Sequence, residues 1–222
     1  MTYYYGFIPS ADLNNHIETA RTKAASTTTE PLYPYRDAVV LGVNDELLHS
    51  SMGALVEMLP PSHKRDTLLK QVQMIQGAVQ KLVKIILDKA PNDTVRKTVQ
   101  FLSLSTHKDA NGVQRVGVEL SPELYNQLKT GNDKAIAGED SPELRKSMEK
   151  TYKQFADAII KHYMEDFNKS MDLNMLKRGG AAAIRPIVAT AVHFSIDKVI
   201  HDLTPEELKI FAEHYNHLIH QV

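Results

Sequence analysis

Residues 179–203 read GGAAAIRPIVATAVHFSIDKVIHDL, and no Asp, Glu, Lys or Arg occurs between residues 186 and 196. In a chain of ordinary charge content, burial in a protein core is the simplest explanation of such an uncharged run. Arg185 and Asp197 bracket the run. It is therefore shorter than the roughly 20 apolar residues that a membrane span needs. The segment predicts a buried central helix in a soluble helical protein.

Apolar residues in this segment recur at steps of three and four, which places them along one side of a helix. They are Ile184, Val188, Val192, Ile196, Val199 and Leu203. Polar residues line up on another side of the same helix. Pro186 has no backbone N–H to donate, so the helix either begins near Arg185 or bends there. Gly179 and Gly180 are the expected hinge.

The composition excludes several functions. The 222-residue chain has no cysteine and a formal net charge of −1. Disulfides, thiolate metal sites and cysteine nucleophiles are excluded, and the overall charge does not attract nucleic acid or an anionic membrane. The first residues, MTYYYGFIPS, lack the basic and apolar regions of a signal peptide. We expect a cytoplasmic protein with no membrane span, with export by a signal-less route as the open alternative.

The first 36 residues differ from the rest of the chain. Five of the nine tyrosines flank a stretch rich in Ser, Thr and Ala, and Pro31 and Pro34 follow that stretch. This composition predicts an extended N-terminal arm over residues 1–36, within which a short helix from 11 to 25 is possible. Docking of the arm along its own domain is the preferred interpretation over an exposed interface. Residues 37–222 then form a helical bundle domain, with a possible sub-boundary near residue 120.

Helical periodicity covers most of that domain. Residues 43–59 and 62–89 predict a helical hairpin, and residues 142–171 a long helix. Ser121, Ser141 and Thr204 each precede Pro and Glu, which is the pattern of a helix N-cap. The dipeptide at 111–112, Asn-Gly, predicts a β-hairpin with arms near 99–107 and 113–120, although a helix competes for the first arm. The predicted fold is mainly α, an elongated helical bundle of about five to seven helices with one small β-hairpin insertion.

Two helices carry apolar residues in alternating steps of three and four, over residues 68–86 and 208–222. This pattern is typical of a helix that packs lengthwise against a near-parallel neighbour. Tyrosines of the N-terminal arm could add to such an interface. The predicted interface residues are Leu208, Phe211, Tyr215, Leu218, Val222, Tyr33 and Tyr35. The leading prediction is a non-catalytic protein that binds a protein partner or assembles with itself as a homo-oligomer.

Six of the ten histidines follow residue 160. The predicted metal ligands are His162, Asp166, His193, Asp197 and His201, which are spaced four apart on two helices. If the two helix faces met, these side chains could bind zinc or iron, so a metal-dependent enzyme is the alternative function. A histidine on an apolar helix could also ligate haem. Internal hydrogen bonding of the polar side chains is the preferred interpretation, and it requires no cofactor.

The helix over residues 63–89 has one basic face. Its basic residues are Lys64, Arg65, Lys70, Lys81 and Lys84. Contact with phosphates, and hence nucleic-acid binding, is a weaker alternative. No aromatic or arginine-rich segment accompanies these lysines, so a solvated helix face is the preferred interpretation.

Overall fold

The computed structural model describes residues 1–171, 173 and 175–222, without the side chains of residues 175–178, 181 and 184. Ile184, one of the predicted apolar residues, therefore lies outside the described side chains. The described chain is mostly helical, with eight helices and a small four-stranded sheet, against the five to seven helices expected. Its elongated outline stays a prediction.

The elements follow one another in this order: β1 (Tyr3–Phe7), α1 (Ala11–Ala25), α2 (Tyr33–Leu48, a π-helical turn His49–Gly53, then Ala54–Met58), α3 (His63–Ile86), α4 (Asn92–Leu104), β2 (Thr106–Lys108), β3 (Gln114–Leu120), α5 (Pro122–Ile136), α6 (Pro142–Ile160, a π-helical turn Lys161–Asp166, then Phe167–Ser170), α7 (Met175–Asp202), α8 (Pro205–Leu218) and β4 (Ile219–Gln221).

The three predicted N-caps are confirmed. Ser121 and Ser141 each accept a hydrogen bond from the backbone N–H three residues later, and so does Thr204. Glu207 bonds back to the Thr204 backbone, which completes a capping box. A proline stands at the first helical position in each case, where its missing N–H costs nothing. These helix starts are therefore local properties of the sequence.

The predicted hairpin is the pair β2–β3, and it belongs to a larger sheet. The strand order is β2-β3-β1-β4, and all neighbouring strands are antiparallel. Residues 99–104 of the first predicted arm are helical, so the competing helical interpretation is right for them. Thr2 and Val222 exchange backbone hydrogen bonds of 3.0 and 2.9 Å, which ties the two ends of the chain together.

Residues 1–36 do not form an extended arm. Strand β1 lies inside the sheet between β3 and β4, and α1 packs against α2 and α4. Tyr5 is fully buried, with its ring edge-on to Phe155. The tyrosine-rich segment becomes a strand only because distant residues supply its hydrogen-bonding partners. The short helix that was possible over residues 11–25 is present, and the division into domains stays a prediction.

Helix α7 confirms the predicted helix but contradicts its burial. It passes through Pro186 without ending, and it packs against α6 and α3. Ile187 and Phe194 are 67% and 63% exposed, whereas Ile200, near the C-terminal end, is buried. The uncharged run therefore lies at the surface for much of its length. Among the described helices, none is long and apolar enough to cross a membrane.

Candidate apolar binding site

A cavity of about 160 Å³ lies between helices α2, α3, α6, α7 and α8. Its described lining is made of aliphatic and aromatic side chains with a few neutral polar groups, and none of these residues is charged. An apolar cavity of about 150 Å³ is large enough to hold a molecule such as benzene. The size and lining make this cavity the candidate binding site.

The inner wall of the cavity is aromatic and belongs to α6 and α8. Its rings are those of Tyr152, Phe155, Tyr163, Phe211 and Tyr215. The Tyr152 ring meets the rings of Phe211 and Tyr215 edge-on, with centroids 4.7 and 4.8 Å apart. Such edge-to-face pairs are the favoured arrangement of aromatic rings. The inner wall is therefore closely packed.

The tyrosine hydroxyls of this wall are hydrogen-bonded within the protein. Tyr152 donates to Asn132 Oδ1 at 2.7 Å, and Tyr163 donates to the Gly117 carbonyl at 3.2 Å. Burial raises the pKa of both phenols above its usual range, so they stay protonated. Because their polar atoms are occupied, these side chains present an uncharged, largely apolar surface to the cavity.

The opposite walls are aliphatic and belong to α3 and α7. Val188, Val192 and Val199 of α7 are only half-buried. Ser195 on the same helix is buried, and its hydroxyl donates to the Ala191 carbonyl at 2.9 Å. Helix α7 is therefore the outermost wall of the cavity.

Two π-helical turns contribute to the lining. The turn in α2 supplies Ser51 and Met52, and the turn in α6 supplies Tyr163 and Met164. A π-helical turn inserts an extra residue into a helix and shifts the side chains around it, and such turns are frequent at functional sites. Both interruptions of otherwise regular helices thus face the same cavity.

Helix α8 supplies hydrogen-bond donors to the π-helical turn of α2. His214 Nε2 lies 2.8 Å from the Ser50 carbonyl oxygen, and the Tyr215 hydroxyl donates to the Ser51 carbonyl at 2.6 Å. A carbonyl only accepts, so His214 Nε2 carries the proton. Burial lowers the pKa of His214, which favours the neutral ring. These two bonds stabilise the irregular backbone beside the cavity.

The predicted metal ligands on α6 have other partners. His162 Nε2 lies 2.8 Å from Ser105 Oγ, and its ring centroid lies 4.9 Å from that of Phe101. Burial lowers the pKa of His162. Asp166 accepts a hydrogen bond of 2.6 Å from Lys169, which lowers the pKa of that carboxyl group. This histidine and this carboxylate therefore serve local packing and ion pairing.

The predicted metal ligands on α7 are likewise engaged separately. His193 Nε2 lies 2.9 Å from Asp157 Oδ1, and Asp197 forms an ion pair with Lys153. His201 is exposed near the end of the helix. Among the described residues, no three metal-ligating side chains come together around one position. The structure therefore does not assemble the five predicted ligands into a site.

Most of the predicted C-terminal interface packs inside the chain. Leu208, Phe211 and Tyr215 are buried, and their helix packs against α5. Leu218 is half-buried, and Val222 is 49% exposed. The lengthwise pattern is real, but these three buried residues pack against the chain's own helices. They do not lie on a surface that a protein partner could contact.

The two interface tyrosines predicted in the N-terminal region lie at the start of α2. Tyr33 and Tyr35 are half-buried and pack against the core. The ammonium group of Lys23 lies 5.4 Å from the centre of the Tyr35 ring, within the range of a cation–π contact. Both rings thus already contact the chain's own residues.

The predicted basic face contains both cations that are paired within the chain and cations that are exposed. Lys64 pairs with Glu207 and donates to the Asp202 carbonyl at 2.7 Å. Arg65 donates to the Val56 carbonyl at 3.1 Å. The remaining three cations, Lys70, Lys81 and Lys84, are exposed. Two of the five predicted phosphate contacts thus join α3 to other parts of the fold.

The sequence did not reveal the cavity. Its lining residues occupy the same helical positions as ordinary core residues, and periodicity cannot distinguish a filled core from one with a cavity. Neither helical periodicity nor capping residues mark the two π-helical turns. Only the length of uncharged sequence around residues 186–196 pointed to one wall of the site.

Comparison with known proteins gives no assignment for this chain. No protein-family model, no curated protein and no solved structure matches it. The function of the cavity is therefore argued from its geometry.

Proposed function

We propose that this chain is a non-catalytic binding protein and that the cavity is the site of its ligand. The observation that carries the proposal is a volume of about 160 Å³ whose described lining has no charge. Protein interiors contain few voids larger than a water molecule, since the atoms around an empty space lose their packing contacts. A bound apolar molecule restores those contacts.

The chemistry of the lining supports binding over catalysis. Ser51 and Ser195 both donate to backbone carbonyls of their own helices, at 2.6 and 2.9 Å. The described lining contains no histidine, carboxylate or lysine that could act as a general base on either hydroxyl. The metal-dependent alternative also gains no support, because no three of its proposed ligands come together among the described residues.

The test is saturable binding of a small apolar probe. We expect benzene to raise the midpoint of thermal unfolding of the wild-type protein, since a ligand that binds only the folded state stabilises it. Ala156 is buried in α6 and lines the cavity, whereas Gln154 is exposed on the same helix. Ala156→Leu fills part of the space and should abolish the shift, and Gln154→Leu should retain it. A wild-type protein that shows no saturable benzene binding contradicts the proposal.

A second candidate is binding of a protein partner, or of a second copy, through the exposed side of α7. Ile187 and Phe194 favour it, because both are large apolar residues that are mostly exposed within an uncharged run. A homo-oligomer in the cytoplasm is the form we propose for this candidate. Nucleic-acid binding has only the three exposed lysines of α3 in its favour.

Light scattering over a concentration series tests the second candidate. Phe194→Glu should lower the average mass of an oligomeric parent protein, because it places a charge in the apolar contact. Ile85 is 63% exposed on α3, the same exposure as Phe194, so Ile85→Glu is the matched control. A parent protein that is monomeric at all concentrations contradicts self-association.

A further inference from the structure

We infer that the ligand of this cavity is a small neutral aromatic molecule with one hydrogen-bond donor, of the phenol or indole class. The inference rests on the proposed function and narrows it. Four properties of the cavity restrict the chemistry of the ligand. They are its size, its uncharged lining, its aromatic wall and one unpaired acceptor.

The volume limits the size of the ligand. About 160 Å³ is close to the cavity size that accommodates benzene. A single six-membered ring, or two fused rings with some adjustment of the half-buried α7 residues Val188 and Val192, matches this space. A long acyl chain, a sterol or a nucleotide is too large for it.

The lining limits the charge of the ligand. None of the described lining residues is acidic or basic, so an ionised group in the cavity would lose its hydration without gaining a counter-ion. The neighbouring phenols also stay neutral, because burial raises the pKa of Tyr152. Benzoate and other charged rings are therefore excluded.

The inner wall favours a ring over an aliphatic molecule. Phe155, Phe211 and Tyr215 line the cavity around Tyr152, and each of them meets the Tyr152 ring edge-on. An aromatic ligand continues this pattern, because its edge can approach a ring face and its face can receive a ring edge. An aliphatic ligand of equal size lacks this geometric preference.

One polar group in the lining lacks a partner. Gln71 lies on α3, and its amide oxygen is buried and accepts no hydrogen bond from any described residue. An unpaired buried acceptor destabilises the protein, so a donor that reaches it is favoured. The terminal torsion of a glutamine is broad, which allows the amide to turn toward a ligand.

The hydrogen-bond donors of the other polar lining side chains already have partners, and Gln71 carries the described lining acceptor that is both buried and unpaired. Asn44 Nδ2 donates to the Val40 carbonyl at 2.7 Å. Ser51 and Ser195 donate to carbonyls of their own helices. Among the described lining residues, Gln71 is therefore the side chain that selects for a hydroxyl or an indole N–H.

Titration calorimetry with phenol, anisole, benzene, indole and benzoate tests the inference on the wild-type protein. Phenol and anisole share a ring, but only phenol has a donor. We expect phenol to bind about tenfold more tightly than anisole or benzene, and benzoate not to bind. In a cavity with no accessible acceptor, the order of phenol and benzene reverses, since the phenol hydroxyl loses its hydrogen bonds to water.

Gln71→Met removes the amide and keeps an unbranched side chain of similar length. We expect the ratio of phenol affinity to benzene affinity to fall about tenfold in this variant, to about one, because the acceptor for the phenol hydroxyl is gone. Gln73 is exposed on the same helix, so Gln73→Met is the control. If Gln71→Met loses its helical circular dichroism, the comparison of phenol with anisole on the wild-type protein decides the question.

The outcomes separate the inference from the proposed function. If benzene binds but phenol binds no more tightly, the donor preference is wrong and the apolar site stands. The donor preference is also wrong if phenol affinity survives in a folded Gln71→Met variant. If none of the neutral rings binds, the proposed function and the inference both fail.

Discussion

The two sides of the cavity differ in how fully neighbouring helices bury them. Helix α6 packs between α5 and α7, and its residues Tyr152 and Phe155 are buried in contact with aromatic residues of α8. Helix α7 packs against α6 and α3 along one side, and Phe194 on its other side is 63% exposed. Both helices have apolar residues at helical spacing. The comparison teaches that periodicity shows which side of a helix is apolar, while the number of neighbouring helices determines how much of it is buried.

The largest expected effect comes from one substitution made on each side. Phe211→Ala on α8 removes a ring that is 4% exposed and should cost about 3–5 kcal/mol of unfolding free energy. Phe194→Ala on α7 should change it by no more than about 0.5 kcal/mol, because the ring is mostly in water. Urea denaturation of both variants measures the difference. Equal losses would show that Phe194 on α7 is as buried as Phe211 on α8.

A medium effect is expected at the hydrogen bonds between α8 and the π-helical turn of α2. Tyr215→Phe leaves the ring in place but removes the donor to the Ser51 carbonyl. Leaving that carbonyl unpaired should cost about 1–3 kcal/mol, measured by urea denaturation. The half-buried Tyr33 serves as the control, and Tyr33→Phe should be nearly neutral. A neutral Tyr215→Phe would mean that the irregular turn does not depend on α8.

A smaller effect is expected from two histidines on the outer face of the sheet, away from the uncharged cavity. There His107 Nε2 lies 2.6 Å from His220 Nε2, and the Tyr4 ring stacks on His107. Burial, followed by the charges of His220 and Arg115, lowers the pKa of His107 from 6.5 to about 4, while Asp109 opposes the shift. Burial also lowers the pKa of His220.

The sign of the pH dependence follows from these shifts. Between about pH 6.5 and pH 4 the unfolded chain binds more protons at His107 than the folded chain does, so stability falls as the pH decreases through this window. Thermal unfolding from pH 7.5 to pH 4.5 should show the loss, and His107→Asn should reduce it. Benzene affinity should stay constant from pH 7.5 to pH 6, because the described cavity lining contains no group that titrates there. An unchanged pH profile in His107→Asn contradicts this assignment.

The smallest effect is expected at the partly exposed ion pair that joins α6 and α7. His193 Nε2 and Asp157 Oδ1 are 2.9 Å apart, and the two side chains are 32% and 54% exposed. His193→Ala should therefore change the unfolding free energy by about 0–1 kcal/mol. Elemental analysis of the untagged protein tests the metal alternative at the same residue. Stoichiometric zinc or iron that is lost in His193→Ala would contradict the ion-pair interpretation.

Much of the local structure was predictable. The helix starts after Ser121, Ser141 and Thr204 depend on residues within one turn, and all three are present. The Asn-Gly turn at residues 111–112 is likewise local, and Gly112 has the positive φ of 79° that such a turn requires. Predictions of this kind succeed because the interacting groups are neighbours in the sequence.

The predictions that failed depended on distant residues. Residues 3–7 become a strand through pairing with residues 114–120 and 219–221, which lie more than 100 positions away. The exposure of Ile187 depends on where α3 and α6 are placed. Four of the five predicted metal ligands have separate partners, which are Ser105, Lys169, Asp157 and Lys153. The pattern of hydrophobic residues along the sequence does not predict any of these arrangements.

The sequence by itself determined where the principal helices start, which of their sides are apolar, and that no cysteine chemistry is available. Those properties follow from backbone hydrogen bonding within one turn, from the 3.6-residue period of the helix and from composition. Only the tertiary structure decided that the two chain ends meet in one sheet, that α7 is half exposed, and that five helices leave a cavity between them. Volume left between helices depends on the relative placement of several distant elements, and no single stretch of sequence specifies it.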